Sequence, residues 1–289
     1  MASSSARPEV VNTVSQLRKA VASARAAGRR IGLAPTMGAL HEGHLSLVRA
    51  AKSECGYAVV SIYVNPTQFG PREDFGNYPR TLEADLDALA GCNTDLVFAP
   101  DSAQMYAPGH DTWVDAGAVA GPLEGIYRPG HFRGVATVVL KLLNMVLPDV
   151  AYFGQKDYQQ AQVIRRLVAD LNVPVELRIC PTVREPDGLA MSSRNRYLSP
   201  AERRQALVLW ESLSLAQSLV RQGQRSAAAI VAGMRQAIAR VPQAKIDYVA
   251  LVDPDTLEPV ATVAGRAVAL VAVRIGATRL IDNVVIEVN

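Results

Sequence analysis

"RIGLAPTMGALHEGHLSLVRAAKSE", residues 30–54, decides the fold. Ile31 to Pro35 is a short apolar run without charge, the pattern of a strand buried on both faces. The stretch from about Gly43 to Glu54 reads as a helix. Between them lies a turn that carries Gly38, Gly43, His41 and His44. The chain has only four histidines, and this turn holds two of them.

The same alternation continues outward in both directions. Thr13 with Gln16 three residues later has the capping-box pattern. Val14, Leu17, Val21 and Ala24 then share one helical face, and Gly28 suits the cap at its end. Ala58 to Val64 is a nearly continuous apolar run, expected of a central parallel strand, and it ends in the turn "NPTQFG". Thr81 to Gly91 is an amphipathic helix and Asp95 to Pro100 a third strand. After a loop-rich stretch, "VATVVLKLLNMVLP" is an apolar helix stopped by Pro148, suited to the core or to an interface. Ala151 to Phe153 is a short strand, followed by a turn and a helix, and "VELRICP" is another strand. Alternating strands and helices imply an α/β fold with a Rossmann-like parallel sheet, whose ligands bind beyond the carboxyl ends of the strands.

The character changes near Val183. A polar loop is followed by two alanine-rich helices, about 200–222 and 226–239, and by three strands of an antiparallel or mixed sheet. The expected domains are a Rossmann-like domain over 1–182 and a smaller α+β lid domain over 183–289.

Composition narrows the classes. The chain has 289 residues, 49% hydrophobic, enough for a substantial core. A net charge of +3 from scattered basic residues argues against a nucleic-acid partner and leaves a small anionic substrate compatible. No apolar run reaches the roughly 18–20 residues that span a bilayer. Cys55, Cys92 and Cys180 are odd in number and far apart, as expected of reduced thiols in a cytoplasmic protein. The serine-rich start has no apolar core of a signal peptide and reads as a short disordered tail.

Three simpler readings of the turn compete with a functional one. Two histidines are not a zinc site, and "HEGH" is one residue short of H-E-x-x-H. Gly38 to Gly43 shows G-x-x-x-x-G, but His44 and Leu45 stand where a P-loop has Lys and Ser or Thr. The turn could also be purely structural, with solvated histidines. As a functional element, its glycines let backbone approach a ligand, and the following helix aims N–H groups and its positive dipole end at phosphate.

Several motifs then point one way. "PTMGALHEGH", "NPTQF" (65–69), "YPRT" (78–81), "RPGHFRGV" (128–135), "FGQKDYQQ" (153–160), "PTVREPDGLAMSSRN" (181–195) and "TRLIDN" (278–283) occur in this order along nearly the whole chain. Together they resemble the pantoate–β-alanine ligase family, within the HxGH nucleotidylyltransferase superfamily. The resemblance implies ATP-dependent, AMP-forming condensation of pantoate with β-alanine through pantoyl adenylate, with Mg²⁺, in a homodimer. The alternatives are a nucleotidylyltransferase for a different small acceptor and an ATP-binding sensor without chemistry.

The resemblance also assigns residues. Pro35, Thr36, Met37, Gly38, Ala39, Leu40, His41, Glu42, Gly43 and His44 line ATP, with His44 and His41 as catalytic phosphate contacts. Gly154, Gln155, Lys156 and Asp157 form a second ATP segment in which Lys156 is the cation. Val183, Met191, Ser192, Ser193 and Arg194 form a third, with "MSSR" as a mobile phosphate loop. Gln68 and Gln160 take pantoate, since an amide can donate to a carboxylate and accept from a hydroxyl. Asp85 is the implied Mg²⁺ contact from protein. Taken singly, Lys156 reads sooner as an ordinary solvated lysine, and each glutamine is compatible with a surface side chain. Gln155 departs from the family's usual Glu and removes one charge beside Lys156.

Overall fold

The structure is a computed structural model that describes residues 6–71 and 73–288. The serine-rich residues 1–5, expected as a disordered tail, lie outside the described residues. Just after them Glu9–Val11 form strand β1, a segment that the sequence reading assigns to the tail. The chain then runs α1 (Val14–Ala26), β2 (Arg30–Thr36), α2 (Glu42–Cys55), β3 (Gly56–Ile62), α3 (Leu82–Ala90), β4 (Leu96–Phe98), α4 (Ser102–Met105), α5 (Glu124–Tyr127), α6 (His131–Val146), β5 (Val150–Gly154), α7 (Tyr158–Asp170) and β6 (Glu176–Cys180). It finishes with α8 (Pro200–Gln205), α9 (Leu207–Arg221), α10 (Ala227–Ile238), β7 (Ala244–Val252), β8 (Arg266–Ile275) and β9 (Thr278–Glu287).

Two compact units result. The first comprises Met1–Ala120, Glu124–Gln155 and Gln160–Pro181. The second comprises Gly121–Leu123, Lys156–Gln159 and Thr182–Asn289, so Lys156 and Asp157 belong with the C-terminal part of the chain.

The first unit holds a six-stranded sheet in the order β1-β4-β3-β2-β5-β6, with every pairing parallel. Strand alternation sorts its side chains. Ile31, Leu33, Val59, Phe98, Ala151 and Phe153 face one layer, packed with residues of α1, α6 and α7. Ala34, Ala58, Val60, Val97 and Tyr152 face the other, packed with α2 and α3. Both faces are covered, which is why these strands read as continuous apolar runs. Gly32 lets α2 come close, since a Cβ there would sit 3.0 Å from the Ala51 Cβ. The apolar helix α6 belongs to this core, with eleven of its residues buried. It ends at Leu147 in the left-handed region, ahead of Pro148.

The second unit is a three-stranded antiparallel sheet, β7-β8-β9, with its own core against α9 and α10. The single long helix expected over 200–222 divides at Ala206, where the Leu209 N–H donates to the Ala206 carbonyl in an i→i+3 bond of 3.2 Å. Among the described residues no helix is long and apolar enough to cross a membrane.

Candidate active site

Strand β2 is flanked by β3 on one side and β5 on the other, so the order of connection reverses between β2 and β5. Such a switch point opens a crevice at the carboxyl ends of the strands, the expected ligand position in a doubly wound sheet. Pro35 and Thr36 end β2, and Gly154 ends β5.

The turn after β2 is built around a buried carboxylate. Gly38 (φ 81°) and Ala39 (φ 50°) are both left-handed, which aims successive N–H groups at one point. Ala39 N–H and Leu40 N–H donate to the two oxygens of Asp85 on α3, at 3.0 and 2.8 Å. The Thr81 hydroxyl adds a third bond of 3.3 Å. Asp85 is 3% exposed. Three donors occupy its oxygens and water is excluded, so this carboxylate does not fit a metal ligand; it anchors the Met37–Leu40 turn. Among the described residues no group of three or more His, Cys, Asp or Glu could hold a metal ion.

Helix α2 begins at Glu42, and His41 is its N-cap. The Gly43 N–H donates to His41 Nδ1 at 3.1 Å. A backbone N–H can only donate, so Nδ1 carries the lone pair and the proton of neutral His41 sits on Nε2. The ring of His44 lies 4.1 Å from that of His41, centroid to centroid. The cap therefore sets a helix N-terminus, a fixed tautomer and a paired imidazole at one strand end. Glu42 turns to Arg49 on its own helix.

Gln68 sits in a second turn, after β3, and its amide is oriented from both ends. Its Oε1 accepts from Asn65 Nδ2 at 3.1 Å, while Nε2 meets the Met37 sulfur at 2.9 Å. A thioether is a weak acceptor, so a stronger oxygen acceptor can replace it. The Asn65 orientation is itself settled, because its Oδ1 accepts from Thr67 and Tyr106 and its Nδ2 also donates to the Gly134 carbonyl. The backbone is gripped too. His131 Nδ1 donates to the Gln68 carbonyl at 2.8 Å, and Arg128 Nη2 reaches the same oxygen at 3.3 Å. Arg128 is held by Glu73, with two contacts of 2.7 Å.

His131 is 8% exposed, and burial first, then the neighbouring Arg128 guanidinium, push its pKa down to about 4. Its folded pKa lies below the unfolded value near 6.5, so the unfolded chain takes the proton first. The stability due to neutral His131 is complete above about pH 6.5 and is lost as pH falls toward 4. The expected loss between pH 7 and pH 4.5 is about 2 kcal/mol from this group. Thermal unfolding checks it: His131→Gln should lose less stability over this interval than the parent, and equal losses would refute the assignment.

In the second unit, Val183 and Met191 close a short hairpin, with the Met191 N–H donating to the Val183 carbonyl at 3.0 Å. That carbonyl is engaged with its own loop. Ser192 caps the following turn, accepting from the Arg194 N–H at 3.3 Å, and Ser193 is buried. The Lys156 carbonyl accepts from Asn283 Nδ2 at 2.9 Å. Gln155, Lys156 and Asp157 form one tight turn before α7, and Gln160 lies half-buried in the first turn of that helix.

Within the first unit, contacts join Met37 to Gln68 and the Ala39–Leu40 backbone to Asp85; within the second, they join Val183 to Met191 and Ser192 to Arg194. Sequence reasoning gave no role to Asn65, Arg128, His131 or Asn283, although each lies in a motif it singled out. Asn before Pro66 was a legible cap signal; Arg128 and His131 meet Glu73 and Gln68, and Asn283 meets Lys156, all far away along the chain.

Comparison with known proteins bears on the fold and the family. Residues 9–285 match the family model described as Pantoate-beta-alanine ligase. A pantothenate synthetase of Moorella thermoacetica is 55% identical over 97% of this chain and 99% of its own length. The crystal structure of pantothenate synthetase from Thermus thermophilus superposes with a TM-score of 0.91 at 46% identity, covering 96% of this chain and 98% of that one. A pantoate-beta-alanine ligase from Francisella tularensis, complexed with beta-gamma ATP and beta-alanine, superposes at 0.80 with 34% identity over 96% and 97%.

Proposed function

Because the chain belongs to the pantoate-beta-alanine ligase family, we propose that it activates pantoate as pantoyl adenylate and passes the acyl group to β-alanine. The overall reaction is the ATP-dependent, AMP-forming condensation of pantoate with β-alanine. In the first step a pantoate carboxylate oxygen bonds to the α-phosphorus of ATP, and the bond to pyrophosphate breaks. In the second the β-alanine amine bonds to the acyl carbon, AMP departs with the C–O electron pair, and the amine loses a proton. The carboxylate is already ionised at pH 7, so no enzyme nucleophile is required. The work is positioning and charge stabilisation.

Our residue roles follow from that need. The α2 N-terminus, the Nε2–H of His41 and the imidazole of His44 face triphosphate oxygens. Lys156 and Arg194 supply positive charge to the departing pyrophosphate, and Ser192 and Ser193 offer hydroxyls. The Gln68 amide, fixed by Asn65, donates to pantoate, with Gln160 as its partner. Mg²⁺ comes with the triphosphate and is held by phosphate and water; Asp85 stays with its loop. The segment 183–289 acts as the lid. The protein works in the cytoplasm as a homodimer, and sedimentation showing monomer alone would reject the dimer. The observation that carries this reading is the capped α2 N-terminus, with its two imidazoles, at the β2/β5 switch point.

One assay tests it. With ATP, Mg²⁺ and pantoate the purified protein should release pyrophosphate, and AMP with pantothenate should accumulate only when β-alanine is added. No pyrophosphate above background would overturn the proposal.

A further inference from the structure

Strand β9 carries two buried polar residues side by side, Asp282 at 3% exposure and Asn283 at 2%. A charge and an amide in a strand interior cost free energy unless their partners are good. Asp282 takes both arms of Arg184, at 2.6 and 2.9 Å, and the same guanidinium donates to the carbonyls of Gly188 and Asn283. Arg184 lies over Trp210, its Cζ 3.9 Å from the ring centroid. Gly188 (φ 97°) lets that indole in, because a Cβ there would overlap it. The Asp282 oxygen also accepts the Asn283 N–H at 2.8 Å, so the Asn283 backbone is pinned on both its N–H and its carbonyl. From this rigid base the Asn283 amide reaches 127 residues back along the chain to the carbonyl of Lys156.

We infer that Asn283 is a positioning residue for Lys156: it fixes the peptide from which the lysine side chain departs, while the Arg184–Asp282 pair holds Asn283 itself. A flexible four-carbon stem makes lysine a poor locator of charge, so restraint of its backbone is the available means of aiming it. The inference rests on the proposed role of Lys156 in adenylation. It also gives "TRLIDN", far from the nucleotide motifs in sequence, a part in the chemistry.

The test is a double-mutant cycle read by pantoate-dependent pyrophosphate release in a single turnover. Asn283→Ala should lower the rate about 10-fold, less than the ~10²-fold that a full 1 Å displacement can cost because only one restraint on the lysine is lost, with the pantoate KM within about 2-fold of the parent. In the Lys156→Ala background the same substitution should change the rate by less than about 2-fold, because the two act as one unit. Asn283→Leu, similar in size but without the donor, should match Asn283→Ala and guards against a packing artefact. If Asn283→Ala slows the Lys156→Ala enzyme by the same factor as the parent, or leaves the parent at full rate, the inference fails. If neither Asn283 variant folds, the residue is structural and the inference also fails. A full rate for Lys156→Ala alone would instead refute the role of the lysine.

Discussion

Replacing His44 by alanine should cut pantoate-dependent pyrophosphate release by at least ~10²-fold, the usual cost of one lost transition-state donor, and Lys156→Ala should cost as much. The reason is where charge moves. As the carboxylate bonds to phosphorus, negative charge builds on the non-bridging oxygens and on the departing pyrophosphate. A donor held in place beforehand is worth more there than a water that must reorient. His44 lies in the first turn of α2, where the helix N-terminus adds its own partial positive charge. Its ring is set against His41, whose tautomer the Gly43 N–H fixes. The loss should therefore appear in kcat, with a smaller change in ATP KM, because the interaction strengthens as the reaction proceeds. His44→Asn, which keeps a donor, should recover part of the rate. A near-normal rate in His44→Ala, with the thermal midpoint unchanged, would remove His44 from the catalytic set.

The contrast between His44 and Asp85 shows what was legible in the sequence. Strand-to-helix alternation gives the parallel sheet because residue periodicity is a local property; the order of the strands, and with it the β2/β5 switch point, is set by nonlocal pairing. The HEGH turn declares itself because glycines, histidines and a helix start are close in sequence. The use of Asp85 is not legible. Nothing in "TLEADLDALAG" distinguishes a carboxylate that meets a metal from one that meets two backbone N–H groups 45 and 46 residues away. The same holds for Asn283, whose partner is known only once β9 and the Lys156 turn have folded. The short edge strand Glu9–Val11 was hidden for a different reason. Three residues are too few for a period, and their pairing with Leu96–Phe98 is entirely nonlocal. Likewise, the break at Ala206 leaves no mark in composition, since alanine favours continuing the helix.

Gly134→Ala should lower kcat/KM for pantoate by about 10²-fold, the scale of loss for a reacting group displaced by about 1 Å. Gly134 lies in α6, where alanine would ordinarily help by about 0.5–1 kcal/mol. Here a Cβ would collide with the Thr67 carbonyl oxygen, and would sit 2.6 Å from the Thr67 carbonyl carbon and 2.8 Å from the Gln68 nitrogen. These are backbone atoms and cannot swing aside, so either α6 or the 65–68 turn must shift. Helix α6 is buried along most of its length and is the less yielding partner. The turn moves, and with it go the Asn65 bond to the Gly134 carbonyl and the Asn65 bond that orients the Gln68 amide. Overpacking of this kind costs about 1–3 kcal/mol, so the thermal midpoint should fall while the protein stays folded. The diagnostic result is selectivity. The ATP KM should change by less than about 2-fold, because the His41–His44 cap lies in a different turn, whereas the pantoate KM should rise steeply; one lost hydrogen bond to a carboxylate already costs about 1.5–3 kcal/mol. Pantoate saturation unchanged in a stable Gly134→Ala protein would mean that the 65–68 turn does not set the pantoate site, and the role given to Gln68 would fall with it.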